Sequence, residues 1–345
     1  MNGGLAMGLV AVLAGGVFQG AVLLPMKFTR RWRWENTWLC FSAVAYLLAP
    51  WFLALLLVPG FPAMLEDVPG QAIRSTILFG LGWGVGALSM GISFRYLGMA
   101  ITYAIVLGIG SSIGTLVPLA VLQPGKLMTP VGFSVMAGVV LAVIGTAVVS
   151  WAAWYRDNCG KPGVEDKQEE RPANALAIGL PLCIGAGVLS SFGNLGFAFG
   201  SQISQKALEL GASATGAGSA VWAVLVPPVF LCNFTYSVYL LRRNRTFQYF
   251  RTPHTAGYFG LAVLMGTLWM GGMAAYGAGA LAMGRLGPSI GWVVFMSSMI
   301  LMANICGAAT GEWKGASRKA LNLMMVGLAV LILAIVVVGT GGSQG

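Results

Sequence analysis

Ten apolar segments, each about 19 to 26 residues long, follow one another along the chain with short polar stretches between them. A helix needs roughly 20 mostly apolar residues to cross a bilayer. Charged residues make up only 9% of the chain, against about 25% in a soluble domain. Because lipid gives the backbone no hydrogen-bond partners, each segment is expected to be helical. The sequence therefore predicts an all-α membrane protein with ten transmembrane helices, over residues 5–26, 38–58, 76–94, 99–122, 129–151, 175–198, 216–241, 257–281, 290–309 and 320–339.

The basic residues are distributed unevenly between the loops. Numbering the loops in order, the odd loops hold 16 of the 20 lysine and arginine residues and the even loops hold four. Cytoplasmic loops are the ones enriched in lysine and arginine. The odd loops are therefore predicted to be cytoplasmic, with both chain termini on the outer, periplasmic side. Because the charges are scattered over five short loops, they indicate topology and contact with anionic lipid, and no nucleic-acid partner is predicted.

A repeat relates the two halves of the chain. A pattern of four glycines and one tryptophan in the third segment recurs 186 positions later, in the eighth. Its residues are Gly80, Trp83, Gly86, Gly91 and Gly98 in the first copy and Gly266, Trp269, Gly272, Gly277 and Gly284 in the second. The pair Ser111 and Ser112 recurs at the same offset as Ser297 and Ser298. With only 11 tryptophans in 345 residues, the tryptophan match indicates an internal duplication.

The longest polar stretch, residues 152–174, divides the chain into two groups of five predicted helices. Because five is odd, the second group must enter the membrane in the opposite orientation to the first. The prediction is two inverted five-helix repeats, residues 1–151 and 175–345, joined by a cytoplasmic linker at 152–174. Further matches occur at other offsets, where Gly8 and Gly16 correspond to Gly179 and Gly187, and Met136 and Gly138 to Met325 and Gly327.

Residue patterns typical of enzymes are missing from the sequence. The five cysteines form no metal-type pair, the single histidine is His254, and no phosphate-binding loop precedes a helix. No enzyme activity and no cofactor are therefore predicted. The ten acidic residues all lie outside the deep parts of the predicted spans, and Glu209 and Glu312 are the nearest candidates for a proton-coupling group. A sodium ion, which serine and asparagine oxygens can hold, remains open as the coupling ion.

The polar and aromatic residues inside the spans are the candidate site. Buried polar side chains are costly in lipid and tend to face a bundle interior or a cavity. Amides bind sugar hydroxyls and indoles stack on a sugar face, so the pattern suits a small neutral sugar. The predicted substrate-binding residues are Gln19, Trp83, Asn194, Trp269, Tyr276 and Trp292. The predicted cavity-lining or cation-binding residues are Ser111, Ser112, Ser297, Ser298 and Asn304. The alternatives are helix packing by the small polar residues and interfacial anchoring by tryptophan.

Three segments resemble the L-rhamnose–proton symporters. Residues 25–38 read PMKFTRRWRWENTW and resemble that family's loop after the first helix, and residues 79–99, ending FRYLGM, resemble its third helix. Residues 311–320, GEWKGASRKA, resemble its loop before the last helix. The resemblance spans the chain. It implies the drug/metabolite transporter fold, with ten helices in two inverted halves, and proton-driven sugar uptake across the bacterial inner membrane.

The predicted function is cation-coupled import of a neutral sugar, L-rhamnose or a related hexose or deoxyhexose, by alternating access. The resemblance implies a proton as the coupling ion, while the residues leave sodium open. Two alternatives stay: an exporter of drugs or metabolites from the same superfamily, and a membrane scaffold or receptor that does not transport. Nothing in the sequence predicts an oligomeric state.

Overall fold

The computed structural model describes residues 3–159, 174–253 and 255–342, and in these ranges the regular structure is helical, with no strand. Ten membrane-length helical segments, α1–α10, follow in chain order. They are α1 Gly3–Ala21, α2 Trp34–Leu57, α3 Gly70–Leu97, α4 Met99–Leu122, α5 Pro130–Cys159, α6 Ala175–Glu209, α7 Ala214–Leu225 with Pro227–Arg243, α8 Thr255–Ala282, α9 Gly287–Ala309 and α10 Arg318–Gly342. A short α-helix covers Phe61–Glu66, and 3-10 turns cover Pro25–Phe28, Pro124–Lys126, Phe247–Arg251 and Gly284–Leu286.

The prediction of an all-helical membrane protein is confirmed. Within the described residues, nine of these segments are long and apolar enough to cross a bilayer alone, and the two parts of α7 together make up to ten. The ten predicted spans coincide with these segments, although most helices extend a few residues beyond the predicted ends. The extra turns carry polar residues because helix ends reach out of the hydrocarbon layer into water and headgroups.

Two helices of the second half are interrupted inside their apolar stretches. Helix α7 bends by 44° between Leu225 and Pro227, where two successive prolines lack the backbone N–H that would continue the hydrogen-bond ladder. Helix α6 consists of three parts, separated at Ser191 and Gly200. Serine and glycine are common at such kinks. Interrupted helices leave backbone carbonyls free inside the bundle, where side chains can bind them.

Helix α2 contains one turn of wider π-helix over Val44–Leu48. The N–H of Ala49 donates to the carbonyl of Val44, one residue further back than in an α-helix. Pro50 follows directly and has no N–H to give to the carbonyl of Tyr46, so the ladder is already interrupted at this point. The wide turn lies in the middle of the span, and Tyr46 within it faces α8.

Glycines let the helices approach closely. Helix α1 packs against α8 and α9, and α6 packs against α3 and α4, while α5 and α10 pack along their length. A Cβ atom added at Gly15 would lie 2.7 Å from the carbonyl oxygen of Gly272, and one added at Gly272 would lie 2.9 Å from that of Gly15. In lipid there is no hydrophobic driving force between helices, and close van der Waals contacts at small residues hold the helices together instead.

The predicted linker, residues 152–174, lies mostly outside the described residues. Helix α5 continues through the first part of this stretch to Cys159, while residues 160–173 and His254 are outside the described ranges. The division of the chain into 1–151 and 175–345 stays a prediction.

Adjacent glycines in α8 provide a matched test of close packing. We expect Gly272→Ala to lower the free energy of unfolding by about 1–3 kcal/mol, because overpacking forces α1 and α8 apart. At Gly271 the nearest atom to an added Cβ is 4.0 Å away, so Gly271→Ala should leave stability unchanged or slightly raised. Thermal unfolding in detergent micelles measures both, and equal destabilisation by the two variants would contradict this packing.

Candidate functional site

Asn194, in the middle part of α6, joins four helices and is fully buried. Its amide nitrogen donates to the carbonyl of Gly114 in α4 at 2.7 Å and to that of Pro288 in α9 at 3.0 Å. Its amide oxygen accepts a hydrogen bond from the Tyr276 hydroxyl of α8. The Gly114 carbonyl would normally accept from the residue four positions later, which is Pro118 and has no N–H. Asn194 therefore supplies the donor that the α4 backbone lacks.

Aromatic rings surround this hub. Tyr276 packs edge-on against Trp292 with ring centroids 5.4 Å apart, and the Trp292 indole N–H donates to the carbonyl of Gly110 at 3.3 Å. Phe197 stacks on Trp222 at 4.9 Å and also contacts Tyr276. Of the predicted substrate-binding residues, Asn194, Tyr276 and Trp292 are thus brought together. In this conformation each of them makes its polar contact with the protein itself.

Trp83 and Trp269, the repeated tryptophans, also meet. Their ring centroids lie 6.1 Å apart with an angle of 34° between the planes. Trp269 is 4% exposed and lies edge-on against Tyr46, 4.8 Å away. Trp83 is half-buried and lies against Gly193 of α6. The two indoles form a contact between α3 and α8 near the centre of the bundle.

Three of the predicted site residues have buried polar atoms without a partner among the described residues. These atoms are Oε1 of Gln19 in α1, Oγ of Ser111 in α4 and Oγ of Ser297 in α9. Ser111 and Ser297 occupy matching positions of the sequence repeat. A buried polar atom without a partner is costly, and such atoms are available to a bound sugar hydroxyl or cation.

The other predicted cavity or cation residues bond within their own helices. Ser112 donates to the carbonyl of Gly108 at 2.8 Å, and Ser298 donates to that of Val294 at 2.9 Å. The Asn304 amide donates to the carbonyl of Ile300 at 2.9 Å. No oxygen-rich cluster around a cation is therefore evident at these three side chains in this conformation.

A cavity of about 390 Å³ reaches the hub from one end of the bundle. It lies between the end of α4, the last two parts of α6 and the turn from α8 to α9. Its polar lining comes from Gln123, Ser201, Ser204, Gln205 and Arg285. None of the predicted site residues lines it. Its walls nevertheless include Phe197 and Pro288, which contact Tyr276 and Asn194 directly. We call this end of the bundle, with residues 58–69, 123–129, 210–213 and 283–286, the cavity face.

The opposite end has residues 22–33, 244–253 and 310–317 and is called the basic face. The predicted proton-coupling candidates are both solvent-accessible ion-pair members: Glu312 binds Lys27 on the basic face, and Glu209 lies 3.8 Å from Lys206 on the cavity face. Sequence reasoning missed Glu35, which is only 5% exposed at the start of α2. Among the described residues, no group of three or more histidine, cysteine or acidic side chains could hold a metal ion.

The hub can be tested with two asparagines of the same bundle. Asn194→Leu removes donors from two backbone carbonyls and the acceptor of Tyr276, and leaving buried groups unsatisfied costs about 1–3 kcal/mol each. We expect its free energy of unfolding to fall by at least about 2 kcal/mol. Asn304→Leu, which loses only a bond to its own helix, should cost much less. Thermal unfolding in detergent compares them, and similar losses would contradict a joining role for Asn194.

A helical membrane protein with interrupted helices, a buried polar hub and a cavity that reaches it from one end has the organisation of a secondary transporter. The family model for the L-rhamnose-proton symport protein (RhaT) matches residues 1–344. The L-rhamnose-proton symporter of Cronobacter sakazakii is 27% identical over 99% of both chains. Those of Yersinia pestis and Klebsiella pneumoniae are 26% identical with the same coverage. The chain therefore belongs to the L-rhamnose-proton symport protein family, whose members are transporters rather than enzymes, and the resemblance found in the sequence is confirmed.

Proposed function

We propose that the protein imports L-rhamnose or a closely related sugar together with a proton. The family match along the whole chain is the observation that carries this function. The partnerless oxygens of Gln19, Ser111 and Ser297 support a neutral, hydroxyl-rich ligand, because such a ligand satisfies donors and acceptors without needing a counter-charge. The relatives are named as proton symporters, and we propose the proton as the coupling ion on that basis.

We propose alternating access between two inverted repeats, residues 1–151 and 175–345. Reciprocal contacts between α5 and α10 support a two-fold relation between the halves. A Cβ atom at Gly138 would meet the Val338 side chain, and one at Gly327 would meet Val149. Gly138 matches Gly327 at an offset of 189 residues, and Val149 matches Val338 at the same offset. The contact of Gly138 with Val338 therefore corresponds to the contact of Gly327 with Val149. A two-fold axis between α5 and α10 would produce this pair of contacts.

The glycine pattern of the repeat supports the same relation. Gly98 and Gly284 are matching positions that follow the ends of α3 and α8, and their φ angles are +77° and +68°. Few residues other than glycine adopt positive φ at a helix end without strain. The pattern thus keeps a positive φ at corresponding positions after α3 and α8.

We place the basic face in the cytoplasm of a bacterial inner membrane and both termini on the periplasmic side. The 16 basic residues of the odd loops support this orientation. The cavity then faces outward, and this conformation presents Gln123 and Gln205 to an arriving sugar. Gln19, Ser111 and Ser297 are our candidates for contacts deeper in the bundle, with Trp83 and Trp269 as the stacking surface.

The remaining predicted site residues do not bind sugar or a cation in this conformation. The hub holds α4, α6, α8 and α9 together at the inner end of the cavity through Asn194, Tyr276 and Trp292. These three side chains contact sugar only after their hydrogen bonds to the protein break. Ser112, Ser298 and Asn304 line the path without holding a cation in this state.

Transport in proteoliposomes tests the function. An inward proton gradient should drive labelled L-rhamnose to several times its external concentration, and a protonophore should abolish the accumulation because it removes the driving force. Protein-free liposomes and a sodium gradient without a proton gradient are the controls. Accumulation under sodium alone would replace the proton with sodium, and no accumulation under either gradient would contradict symport.

Gln19 offers a sharper test of the site. We expect Gln19→Ala to weaken L-rhamnose binding about tenfold, the equivalent of about 1.4 kcal/mol and of one lost hydrogen bond. Gln202→Ala is the matched control, since Gln202 is exposed and does not line the cavity. Calorimetric titration of purified protein measures both dissociation constants. Equal affinities in the two variants would show that Gln19 only packs α1 against α8.

A further inference from the structure

A continuous row of aromatic rings runs from the centre of the bundle to the basic face. Successive rings in the row have centroids 4.8–6.1 Å apart. We call it the aromatic ladder, and its members in order are Trp83, Trp269, Tyr46, Phe41, Trp38 and Trp34. Four of the six rings belong to α2, and the wide turn of that helix turns Tyr46 towards Trp269.

Polar groups of α7 accompany the ladder. The indole N–H of Trp38 donates to Oδ1 of Asn233 at 2.8 Å. One turn further along α7, the hydroxyl of Ser237 is fully buried and has no hydrogen-bond partner within the part of the chain that the structure describes. The rings of α2 and the amide and hydroxyl of α7 are the kinds of group that a pyranose needs, since its C–H face stacks while its hydroxyls hydrogen-bond.

The ladder is closed at the basic face by a junction between the two halves. Glu35 of α2 accepts hydrogen bonds from the Asn244 amide at 3.0 Å and the Thr246 hydroxyl at 2.7 Å. The neighbouring Asn36 amide donates to the carbonyl of Thr246 at 3.0 Å. We call Glu35, Asn36, Asn244 and Thr246 the inner gate.

The electrostatics of the inner gate fit a contact that forms and breaks. Within the described residues, no cationic side chain lies within 4.0 Å of the Glu35 carboxylate. The cationic residues on the segments that pack here include Arg30, Arg31 and Arg33 before α2, and Arg242, Arg243, Arg245 and Arg251 at the end of α7 and after it. Because its close side-chain partners are neutral donors on one loop, a movement of that loop frees the carboxylate, and water then replaces the lost bonds. A buried pair with a cation would be far costlier to separate.

Resting on the proposed symport, we propose that the aromatic ladder is the inward half of the sugar path and that the inner gate closes it in this conformation. The cavity is open at the other face at the same time, which is the reciprocal arrangement that alternating access requires. Opening the gate parts α2 from α7 and exposes the rings, Asn233 and Ser237 to the cytoplasm.

Thiol labelling tests the gate without any sugar. Two reporters, Ser237→Cys at the ladder and Gln205→Cys in the cavity, are placed in a background whose five native cysteines are replaced by alanine. Glu35→Ala is added to each reporter. It should raise labelling of the residue-237 thiol in the first reporter by a membrane-impermeant maleimide about tenfold. In the second reporter it should lower labelling of the residue-205 thiol. Thr246→Val, a milder change, should shift both in the same directions. Asp157→Asn, which removes an exposed carboxylate that pairs with the neighbouring Arg156 at the end of α5, should change neither.

The reciprocal response separates a gate from a merely structural junction. Increased labelling at residue 237 with unchanged labelling at residue 205 would mean local loosening and would overturn the proposal, as would no change at either position. Because no sugar is present, these outcomes do not depend on whether L-rhamnose is transported.

Sugar exchange tests the ladder. Phe41→Leu keeps apolar bulk but removes a ring from the ladder, and it should slow exchange of labelled L-rhamnose across proteoliposomes about tenfold. Phe79→Leu is the control, since the Phe79 ring contacts Phe199 and Phe192, neither of which belongs to the ladder. Equal exchange rates in the two variants would overturn the ladder as the path, whereas no exchange by the unmodified protein would overturn the proposed function itself.

Discussion

The amide of Asn194 is the contact on which the arrangement of the central helices depends. In lipid a free backbone carbonyl has no water to bind, and Pro118 leaves the carbonyl of Gly114 without its helical donor. Asn194 binds that carbonyl, the carbonyl of Pro288 and the Tyr276 hydroxyl together. Four helices meet at one side chain, and the cavity ends where they meet. A polar side chain in a low-dielectric interior thus sets both the packing and the depth of the cavity.

The two ends of the bundle differ in how closely their helices approach each other. At the cavity face the ends of α4, α6 and α8 stand apart and leave room for a monosaccharide, whereas at the basic face α2 is bound to the loop after α7. Glycine contacts such as Gly15 with Gly272 bring the intervening helices close together, backbone against backbone. Helix α1 packs on α8 and α9, and α6 packs on α3 and α4, and in the proposed alternating access these contacts would carry a movement from one face to the other.

Site residues inside the apolar segments could be predicted from the sequence, whereas those at helix ends could not. Residues inside apolar segments, such as Asn194 and Trp269, stood out because polar and aromatic groups are conspicuous against an aliphatic background, and the structure brings several of them together. Gln123, Gln205 and Arg285 were not predicted, because they lie at helix ends where polar residues are ordinary. Glu35 lies before the predicted second span, 38–58, and its burial comes from Asn244 and Thr246, about 210 residues away along the chain.

The sequence by itself determined the number of spans, their helical state, the family and the repeat at 186 residues, because each of these follows from local hydropathy or from aligned residues. The tertiary structure alone decided which polar atoms are bonded and which are free. Ser111 and Ser112 are neighbours with the same side chain, yet among the described residues the first hydroxyl has no partner and the second bonds its own helix. That difference depends on which face of α4 each occupies and on the helices packed against it, and these contacts join residues too far apart in sequence for any local pattern to encode.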